Sequence, residues 1–355
     1  MALIERLPEG PLDIVGDVHG ELAALNTLLA RLGYDSADPH AAGRRLVFLG
    51  DLCDRGPDSP GVFERVRRIV DSGNGLCILG NHELNLLRLS TKQGNGWFFP
   101  EAEDHDRKRG QFAACRRLPQ SKRAALLAFM RGLPLALERE DLRIVHACWH
   151  SASIEALRRE PAADVLRVYN DSETRFFDSL KGTRLGARAE AEEVPFDAVA
   201  ADRSQQPPAA PNLARRDETY QNSNPVRAIT SGPERVSAAP FFSTGKWRLL
   251  ERVRWWEEYA EEVPVVFGHD WRVPAGMERP AHKGIEDVFG GYADNAWLGP
   301  RRLAFCADYC IGARFVERLY GAADHFQSRL AALRWPERVL LMDDGRTVQT
   351  TPEFR

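Results

Sequence analysis

Three short polar signatures near the start of the chain carry side chains that can bind metal ions and phosphate. They read GDVHG at 16–20, GDLCDRG at 50–56 and GNHE at 80–83, and each closes an apolar run. Two later apolar runs end on a histidine in the same way. Carboxylate and amide oxygens with imidazole nitrogens suit cations such as Mn, Fe, Zn and Co, and an arginine suits a phosphate. The candidate cation ligands are Asp17, His19, Asp51, Asn81, His146 and His269.

Junctions between strands and helices must position these residues. Strand-like runs at 12–15, 46–49 and 76–79 precede the signatures, and apolar residues at helical spacing follow them. Ligand sites form at the carboxyl ends of parallel strands. The alternation therefore predicts an α/β fold with parallel pairing through crossover helices. Further strands are expected at 142–146, 264–269, 302–306, 330–335 and 339–342, the last two as a hairpin.

Two stretches interrupt this periodicity. Residues 94–110 contain consecutive aromatic rings at Trp97, Phe98 and Phe99, so this loop is either a flap facing a substrate or a segment packed onto the domain. Residues 182–245 read as an irregular excursion, rich at first in Ala, Glu, Gln and Pro, which either covers the site as a cap or merely connects. Helices are expected over 22–32, 62–70, from 83 onward, and over 124–133, 162–181 and 247–263.

The composition is that of an ordinary globular protein. The 355 residues are 43% apolar and 28% charged, and the net charge of −3 gives no electrostatic footprint for a nucleic acid polymer or an anionic membrane. No apolar run approaches the length of a membrane span. The six cysteines form no CxxC pair, so reduced, buried thiols in a cytoplasmic protein are expected, with a Cys306–Cys310 redox pair as the alternative. A single domain over 1–355 is expected, and the sequence leaves the oligomeric state open.

The ordered signatures, followed by two strand-end histidines, resemble those of the calcineurin-like metallophosphoesterases. The arginine of the second signature and the GNHE form are similar to the phosphoprotein phosphatase branch and its bacterial diadenosine tetraphosphatase relatives. The resemblance runs over 11–147 and returns at 264–270 and 302–345. It implies two mixed β-sheets packed face to face with helices outside, and an enzyme that hydrolyses phosphate bonds.

The resemblance implies two divalent metal ions, with Mn²⁺ as the first expectation and Fe, Zn, Ni or Co as alternatives. Two metals about 3.5–4 Å apart can clamp the attacking and leaving oxygens of an in-line displacement. The nucleophile is then a hydroxide that bridges the metals, and no covalent enzyme intermediate forms. The ligands would be Asp17 and His19 for the first metal, Asn81, His146 and His269 for the second, and Asp51 as the bridge.

By the same resemblance, His82 protonates the leaving group and Asp54 orients it. The structural alternatives are a turn or N-cap role for Asp54 and a helix-start cap for His82. Arg55 fits a phosphate clamp. The family usually has a second clamping arginine, for which Arg235 and Arg272 are the candidates, although an arginine in a loop is more often a solvated surface charge.

Other residues depart from the family pattern or fit it loosely. Residues 147–150 read ACWH where two glycines are typical after the strand-end histidine, and this bulk is expected to narrow the site. His150 is either a further polar contact or solvated, and Asp308 either supports a site histidine or is structural. His105 and His282 are expected to face solvent.

The substrate stays open between three hypotheses. The first is a Ser/Thr phosphoprotein or another phosphomonoester. The alternative is a dinucleoside polyphosphate, for which the aromatic rings of 94–100 would stack a base. A metal-bound scaffold without turnover is the third, although every expected catalytic position is filled.

Overall fold

The structure is a computed structural model that describes residues 2–34, 40–102, 115–160, 164–278, 287–321 and 325–351. Within these ranges the chain builds two large mixed sheets and one separate hairpin. None of the described helices combines the length and the apolar character that a membrane-spanning helix requires.

The six-stranded sheet contains the strands that precede the three signatures. Its order is β13-β12-β11-β2-β3-β4, in which β2, β3 and β4 are parallel and the other pairs are antiparallel. The predicted hairpin near the end of the chain is confirmed by the β11–β12 pair. The bounds are β2 Leu12–Val15, β3 Arg45–Phe48, β4 Gly75–Cys77, β11 Ala331–Trp335, β12 Val339–Met342 and β13 Thr347–Gln349.

The five-stranded sheet contains the strands that precede the two later histidines. Its order is β1-β5-β6-β9-β10, with an antiparallel β5–β6 hairpin and parallel pairing elsewhere. The sequence analysis did not predict β1 and β5. The bounds are β1 Ile4–Arg6, β5 Ala136–Arg139, β6 Leu142–Val145, β9 Val265–Phe267 and β10 Ala304–Cys306.

The two sheets pack face to face, as the resemblance implied. One buried cluster joins Leu12, Ile14 and Val47 of the first sheet to Ile144 and Val266 of the second. Apolar residues that alternate with these along the strands face outward and pack against helices in a larger cluster. The fully buried strands explain why these runs are apolar on both faces.

Helices flank the sheets and connect their strands. Those within the first 160 residues are α1 Leu22–Leu32, α2 Ser59–Asp71, α3 Asn81–Leu87, α4 Gln120–Arg131 and α5 Ser151–Arg158. The later ones are α6 Val165–Leu180, α7 Arg184–Asp197, α8 Pro211–Ser223, α9 Pro225–Ser231 and α10 Arg314–Leu319.

Residues 182–252, here called the insert, differ from the prediction. The expected irregular excursion contains α7, α8 and α9, followed by a hairpin of β7 (Glu234–Ser243) and β8 (Lys246–Arg252). The expected helix over 247–263 is wrong, because β8 pairs with β7 and only a 3₁₀ turn, Trp255–Glu257, follows. A polar sequence with few apolar positions gives little periodicity, and long strand pairing overrides local helix propensity.

Candidate active site

Backbone hydrogen bonds join the first signature loop to the second, and one buried carboxylate joins the second loop to the third. The N–H groups of Val18 and His19 donate to the carbonyl oxygen of Asp51 at 3.0 and 2.9 Å. The carboxylate of Glu83, in the third loop, accepts the N–H groups of Asp51 and Leu52 at 2.8 Å each and that of Gly80 at 3.0 Å. Glu83 thus joins the third strand end to the second, a role that was not predicted from the sequence.

The backbone is left-handed at several of the predicted site residues. Of the ten non-glycine residues with positive φ in the described chain, five belong to the predicted set: His19, Asp51, Asp54, Arg55 and His269. Each such residue costs about 1 kcal/mol or more, and Asp and His tolerate this conformation better than branched residues do. The conformation of these turns therefore lowers the stability of the fold, and it directs these side chains toward one point.

One group of candidate cation ligands lies around His19. Its Nε2 is 3.8 Å from Asp51 Oδ2 and 3.9 Å from Asp17 Oδ2, and His82 Nε2 is also 3.8 Å from Asp51 Oδ2. The Nδ1 of His19 is 3.0 Å from the carbonyl oxygen of Cys53, so it donates there and leaves Nε2 to act as a ligand.

The second group lies on the other side of Asp51. The Nε2 of His146 is 3.3 Å from Asp51 Oδ1, and His146 Nδ1 donates to the carbonyl oxygen of Leu49 at 2.6 Å. The Oδ1 of Asn81 is 3.1 Å from His146 Nε2 and 2.9 Å from His269 Nδ1. The two oxygens of Asp51 therefore face the two groups separately, as a bridging carboxylate does.

The electrostatics of these residues fit a pair of divalent cations. Burial, followed by the nearby carboxylate of Asp308, raises the pKa of Asp17 well above its usual range. Burial also raises the pKa of Asp51, but His146, His82 and His19 outweigh it and leave that pKa well below its usual range. Buried carboxylates this close together need positive charge, and mixed carboxylate, amide and imidazole donors without thiolate suit Mn, Fe, Zn or Co. The donor set does not identify the metal.

Gly268 leaves the space that Asp17 occupies. A Cβ atom at this glycine would lie 2.2 Å from Asp17 Oδ1, which is closer than any packed contact. The N–H of His269 donates to both Asp17 oxygens, at 3.2 and 3.1 Å. The strand end after β9 thus holds the Asp17 carboxylate in place with backbone alone.

The Arg55 guanidinium contacts both histidines of the first group. Its Nη1 is 2.9 Å from His19 Nε2, and its Nη2 is 3.2 Å from His82 Nε2. The Trp271 ring centre lies 5.4 Å from the Arg55 Cζ. One imidazole nitrogen cannot accept from a guanidinium and bind a cation at once, so cation binding at His19 would release Nη1 toward a phosphate.

His82 is paired with Asp54 at 2.6 Å, between Nδ1 and Oδ2. Asp54 is fully buried, and its Oδ1 accepts the indole N–H of Trp97 at 2.6 Å. The rings at 97–99 are all buried, so this part of the loop packs onto the domain and does not present rings to a base. Residues 103–110 of the expected flap lie outside the described chain.

The two arginines proposed as a second clamp are not brought to this cluster. Arg235 is largely exposed and pairs with Glu251 at 2.7 Å on the insert hairpin. Arg272 is buried, and its guanidinium donates to the carbonyl oxygens of Asp294 and Ala296. Neither side chain lines the cleft that reaches Arg55.

The remaining candidates have structural surroundings. The bulk of residues 147–149 is buried and does not line the cleft, so the expected narrowing is not found. His150 is exposed and contacts the hydroxyl of Ser153 at 2.7 Å. Buried Asp308 lies near Asp17, and its Oδ1 accepts the N–H of Cys310 at 3.0 Å. His105 and His282 lie outside the described residues.

All six cysteines are free thiols in the structure, and five of them are buried, whereas Cys115 is half-buried. Cys306 donates to the carbonyl oxygen of Asp270 at 3.1 Å, and Cys310 donates to that of Arg272 at 3.3 Å. Burial raises the pKa of the Cys306 thiol well above its usual range. The two thiols therefore serve as weak structural donors in the strand end beside the site.

Residues 10–167 match the protein family described as calcineurin-like phosphoesterase. The part of the chain that contains the three signatures is therefore similar to the calcineurin-like phosphoesterases. This match covers the three signatures and His146, whereas His269 lies outside it. The fold agrees with the expectation from the resemblance, because the two mixed sheets meet at the site and helices lie outside them.

Two curated proteins that are similar to parts of this chain are named as bis(5'-nucleosyl)-tetraphosphatases. One is the asymmetrical bis(5'-nucleosyl)-tetraphosphatase PrpE of Oceanobacillus iheyensis, 44% identical over 24% of this chain and 34% of the relative. The other is the symmetrical bis(5'-nucleosyl)-tetraphosphatase of a Janthinobacterium species, 31% identical over 47% of this chain and 59% of the relative. The chain thus spans about a third and about three fifths of the lengths of these relatives.

A solved structure, the cold-active protein-tyrosine phosphatase of a psychrophilic Shewanella species, is similar at 14% identity with a TM-score of 0.47. That match covers 99% of this chain and 83% of the other.

Proposed function

We propose that the chain hydrolyses dinucleoside polyphosphates with a pair of divalent cations. The observation that carries the proposal is a cleft of about 1520 Å³ that has Arg55 and His82 on its lining and extends beneath the insert. Pockets for drug-sized ligands usually measure about 300–1,000 Å³, so this cleft has room for an extended substrate. The names of the two curated relatives favour the same substrate class over a phosphoprotein.

The insert gives this cleft both aromatic and cationic walls. Rings of Phe241 and Trp247 from the hairpin and of Trp271 beside Arg55 line the cleft, and none of them is fully buried. Partly exposed rings are suitable platforms for nucleobases. We therefore expect the base contacts on the hairpin and on Trp271, since the rings of 97–99 are buried.

The same hairpin gathers positive charge. Lys246 and Arg248 line the cleft together with Arg55. Burial, and after it the like charges of Arg248 and Lys92, lower the pKa of Lys246. A chain of phosphates would relieve this repulsion, whereas a single phosphoryl group held by Arg55 would not reach the hairpin in the same way.

The chain's own residues supply the proton and hold the phosphate in this proposal. Arg55 binds the non-bridging oxygens of the phosphoryl group under attack, and His82 donates its Nε2 proton to the leaving oxygen while Asp54 stabilises the imidazolium. Water supplies the new oxygen on phosphorus, so one P–O–P bond breaks and two mononucleotides leave. The cations would polarise the phosphoryl oxygen and lower the pKa of water. The residues that would hold the cations are Asp17, His19, Asp51, Asn81, His146 and His269.

The test is hydrolysis by metal-stripped protein after Mn²⁺, Ni²⁺, Zn²⁺ or Mg²⁺ is added back. Diadenosine tetraphosphate, a phosphoserine peptide and 4-nitrophenyl phosphate are compared, with Asp51→Asn as the inactive control. We expect metal-dependent turnover with the highest kcat/KM for the dinucleotide, and a KM for the dinucleotide that Lys246→Gln raises. A preference for the phosphopeptide would overturn the proposed substrate class. If the protein bound metal but hydrolysed no substrate, the hypothesis of a metal-bound scaffold without turnover would be favoured instead. A cytoplasmic location stays a prediction.

A further inference from the structure

Trp97 is joined to the catalytic histidine of the proposed mechanism by a buried carboxylate. The indole N–H of Trp97 donates to Asp54 Oδ1 at 2.6 Å, and Asp54 Oδ2 lies 2.6 Å from His82 Nδ1. Trp97 is 1% exposed and Asp54 is fully buried. The Trp97 indole, the Asp54 carboxylate and the His82 imidazole are therefore linked by hydrogen bonds in that order. The His82 Nε2, at the end of this chain of bonds, faces Arg55 and Asp51.

We propose that Trp97 is a positioning residue, whose indole N–H sets the rotation of the Asp54 carboxylate so that Oδ2 faces His82. The proposal rests on the proposed function. A carboxylate turns readily about its last torsion, because that torsion has a broad energy profile. A hydrogen bond to His82 alone would let the Asp54 carboxylate rotate about this torsion. The two bonds, one on each oxygen, restrict that rotation.

The hydrogen-bond partners also define which nitrogen of His82 carries its proton. A guanidinium only donates, so the Arg55 Nη2 at 3.2 Å makes His82 Nε2 an acceptor. The His82 Nδ1 then carries the proton that Asp54 accepts. A well-held Asp54 keeps this tautomer and this ring orientation, and a proton added at Nε2 is then directed at the leaving group.

The indole itself is held firmly from two sides. Its ring lies 5.9 Å from the Phe63 ring of α2 and 5.6 Å from the Phe98 ring. The Arg123 guanidinium of α4 covers Phe98 at 4.8 Å. Trp97 therefore packs against α2 directly and against α4 through Phe98, which holds it as a side chain must be held if it is to orient another one.

The Trp97 bond is more than the routine partner of a buried indole. Trp255 and Trp256 are also buried, and their indole N–H groups have no hydrogen-bond acceptor among the described residues. Within the described chain, buried indoles thus occur without an acceptor. At Trp97 the acceptor is instead charged and close, which makes a strong hydrogen bond.

The test compares leaving groups in Trp97→Phe, which removes the N–H and keeps most of the ring. A general acid matters most when the leaving oxygen is basic, as in phenyl phosphate, and least for 4-nitrophenyl phosphate. We expect kcat for phenyl phosphate to fall about tenfold or more and kcat for 4-nitrophenyl phosphate to change less than about threefold. The KM values and the bound metal should stay as in the wild type. Trp256→Phe, the same change at an indole without an acceptor in the described chain, should leave both rates alone.

Two further measurements separate positioning from packing. In the Asp54→Asn background, Trp97→Phe should cost nothing more, because the carboxylate that it orients is gone. In the wild type, the low-field proton NMR signal of His82 Nδ1–H, assigned with His82→Ala, should be sharp, and it should broaden in Trp97→Phe. If that variant does not fold, Asn95→Ala replaces it, since the buried Asn95 side chain accepts the N–H of Lys92 through Oδ1 at 3.1 Å and so shapes the same loop.

An equal loss on both esters, or an unchanged low-field signal, would overturn the role of Trp97. If the wild type hydrolyses no phosphate at all, the proposed function fails, and the NMR signal still decides whether Trp97 orients His82. The two failures are therefore distinguishable.

Discussion

Glu83 is a fully buried carboxylate that lies beside the candidate cation ligands and bonds to the backbone of their loops. Its oxygens accept three N–H groups, from Asp51, Leu52 and Gly80. None of these groups lies in a regular strand: Asp51 and Leu52 belong to the turn after β3, where Asp51 has φ 46°, and Gly80 stands just before α3. The Glu83 carboxylate thus accepts hydrogen bonds from buried N–H groups that have no partner in the sheet. The need for it arises from the turns that direct the candidate cation ligands toward the site.

We predict that Glu83→Gln lowers the free energy of unfolding by about 3 kcal/mol, because an amide presents an NH₂ group to at least one of these donors. Urea unfolding monitored by circular dichroism measures the loss. Glu64→Gln is the matched control, since Glu64 is exposed on the surface and pairs with Lys122 at 2.8 Å. That change should cost less than about 1 kcal/mol. Equal costs at both positions would show that Glu83 does not hold the loops together.

At the scale of the elements, the strands of both sheets around the site follow from their apolar runs. The apolar residues of the runs before Asp17, Asp51, His146 and His269 are buried in the structure, so packing and propensity agree there. The convergence of these candidate ligands could be predicted for the same reason, because strand ends come together in this fold. The pairing of Asp54 with Trp97 could not, since the two residues are 43 positions apart and only the folded loop joins them.

The insert shows what periodicity alone misses. Its helices carry few apolar residues, but their starts have capping residues: the side chain of Thr183 accepts the N–H of Gly186, and that of Asn224 accepts those of Val226 and Arg227. Pro211 and Pro225 stand at first helical positions, where proline is favoured. These local signals were present in the sequence. The hairpin was not predicted from the sequence, because its strand pairing depends on residues on both sides of the turn at 244–245.

We predict that the insert can be loosened without unfolding the sheets. Phe196 and Leu213 form a small apolar cluster with Trp247 that is separate from the two large clusters. Phe196→Ala should therefore expose the insert to limited proteolysis and raise the KM for diadenosine tetraphosphate several-fold, because the hairpin walls move. Turnover of 4-nitrophenyl phosphate and the main unfolding transition should change little.

The control for this experiment is Val194→Ala on the same helix, at a side chain that is 76% exposed. It should alter neither the proteolysis pattern nor the KM. If Phe196→Ala abolished turnover of both substrates, the insert would be part of the catalytic core.

At the scale of the whole molecule, the candidate cation site joins the two sheets. Asp17, Asp51 and Asn81 follow strands of the six-stranded sheet, and His146 and His269 follow strands of the five-stranded one. Direct contacts already cross this seam, such as the 3.3 Å approach of His146 to Asp51. The apolar cluster between the two sheets holds them together along their length. At the end that carries the candidate cation ligands, the contact between the sheets depends instead on positive charge to offset the buried carboxylates.

We therefore predict that divalent cations stabilise the whole fold. A ligand that binds only the folded chain stabilises it by about 2.7 kcal/mol when its concentration is a hundredfold above Kd. Calorimetry of metal-stripped protein should show Tm rise by a few degrees when Mn²⁺ is added, in one transition, because the cation contacts both sheets. Asp51→Asn should lose most of this rise, since it removes the charge that faces both ligand groups. Asp71→Asn, at an exposed carboxylate that pairs with Arg67, should keep it. A rise of the same size in all three proteins would mean that the cation binds elsewhere, and the joining of the sheets through Asp51 would then be wrong.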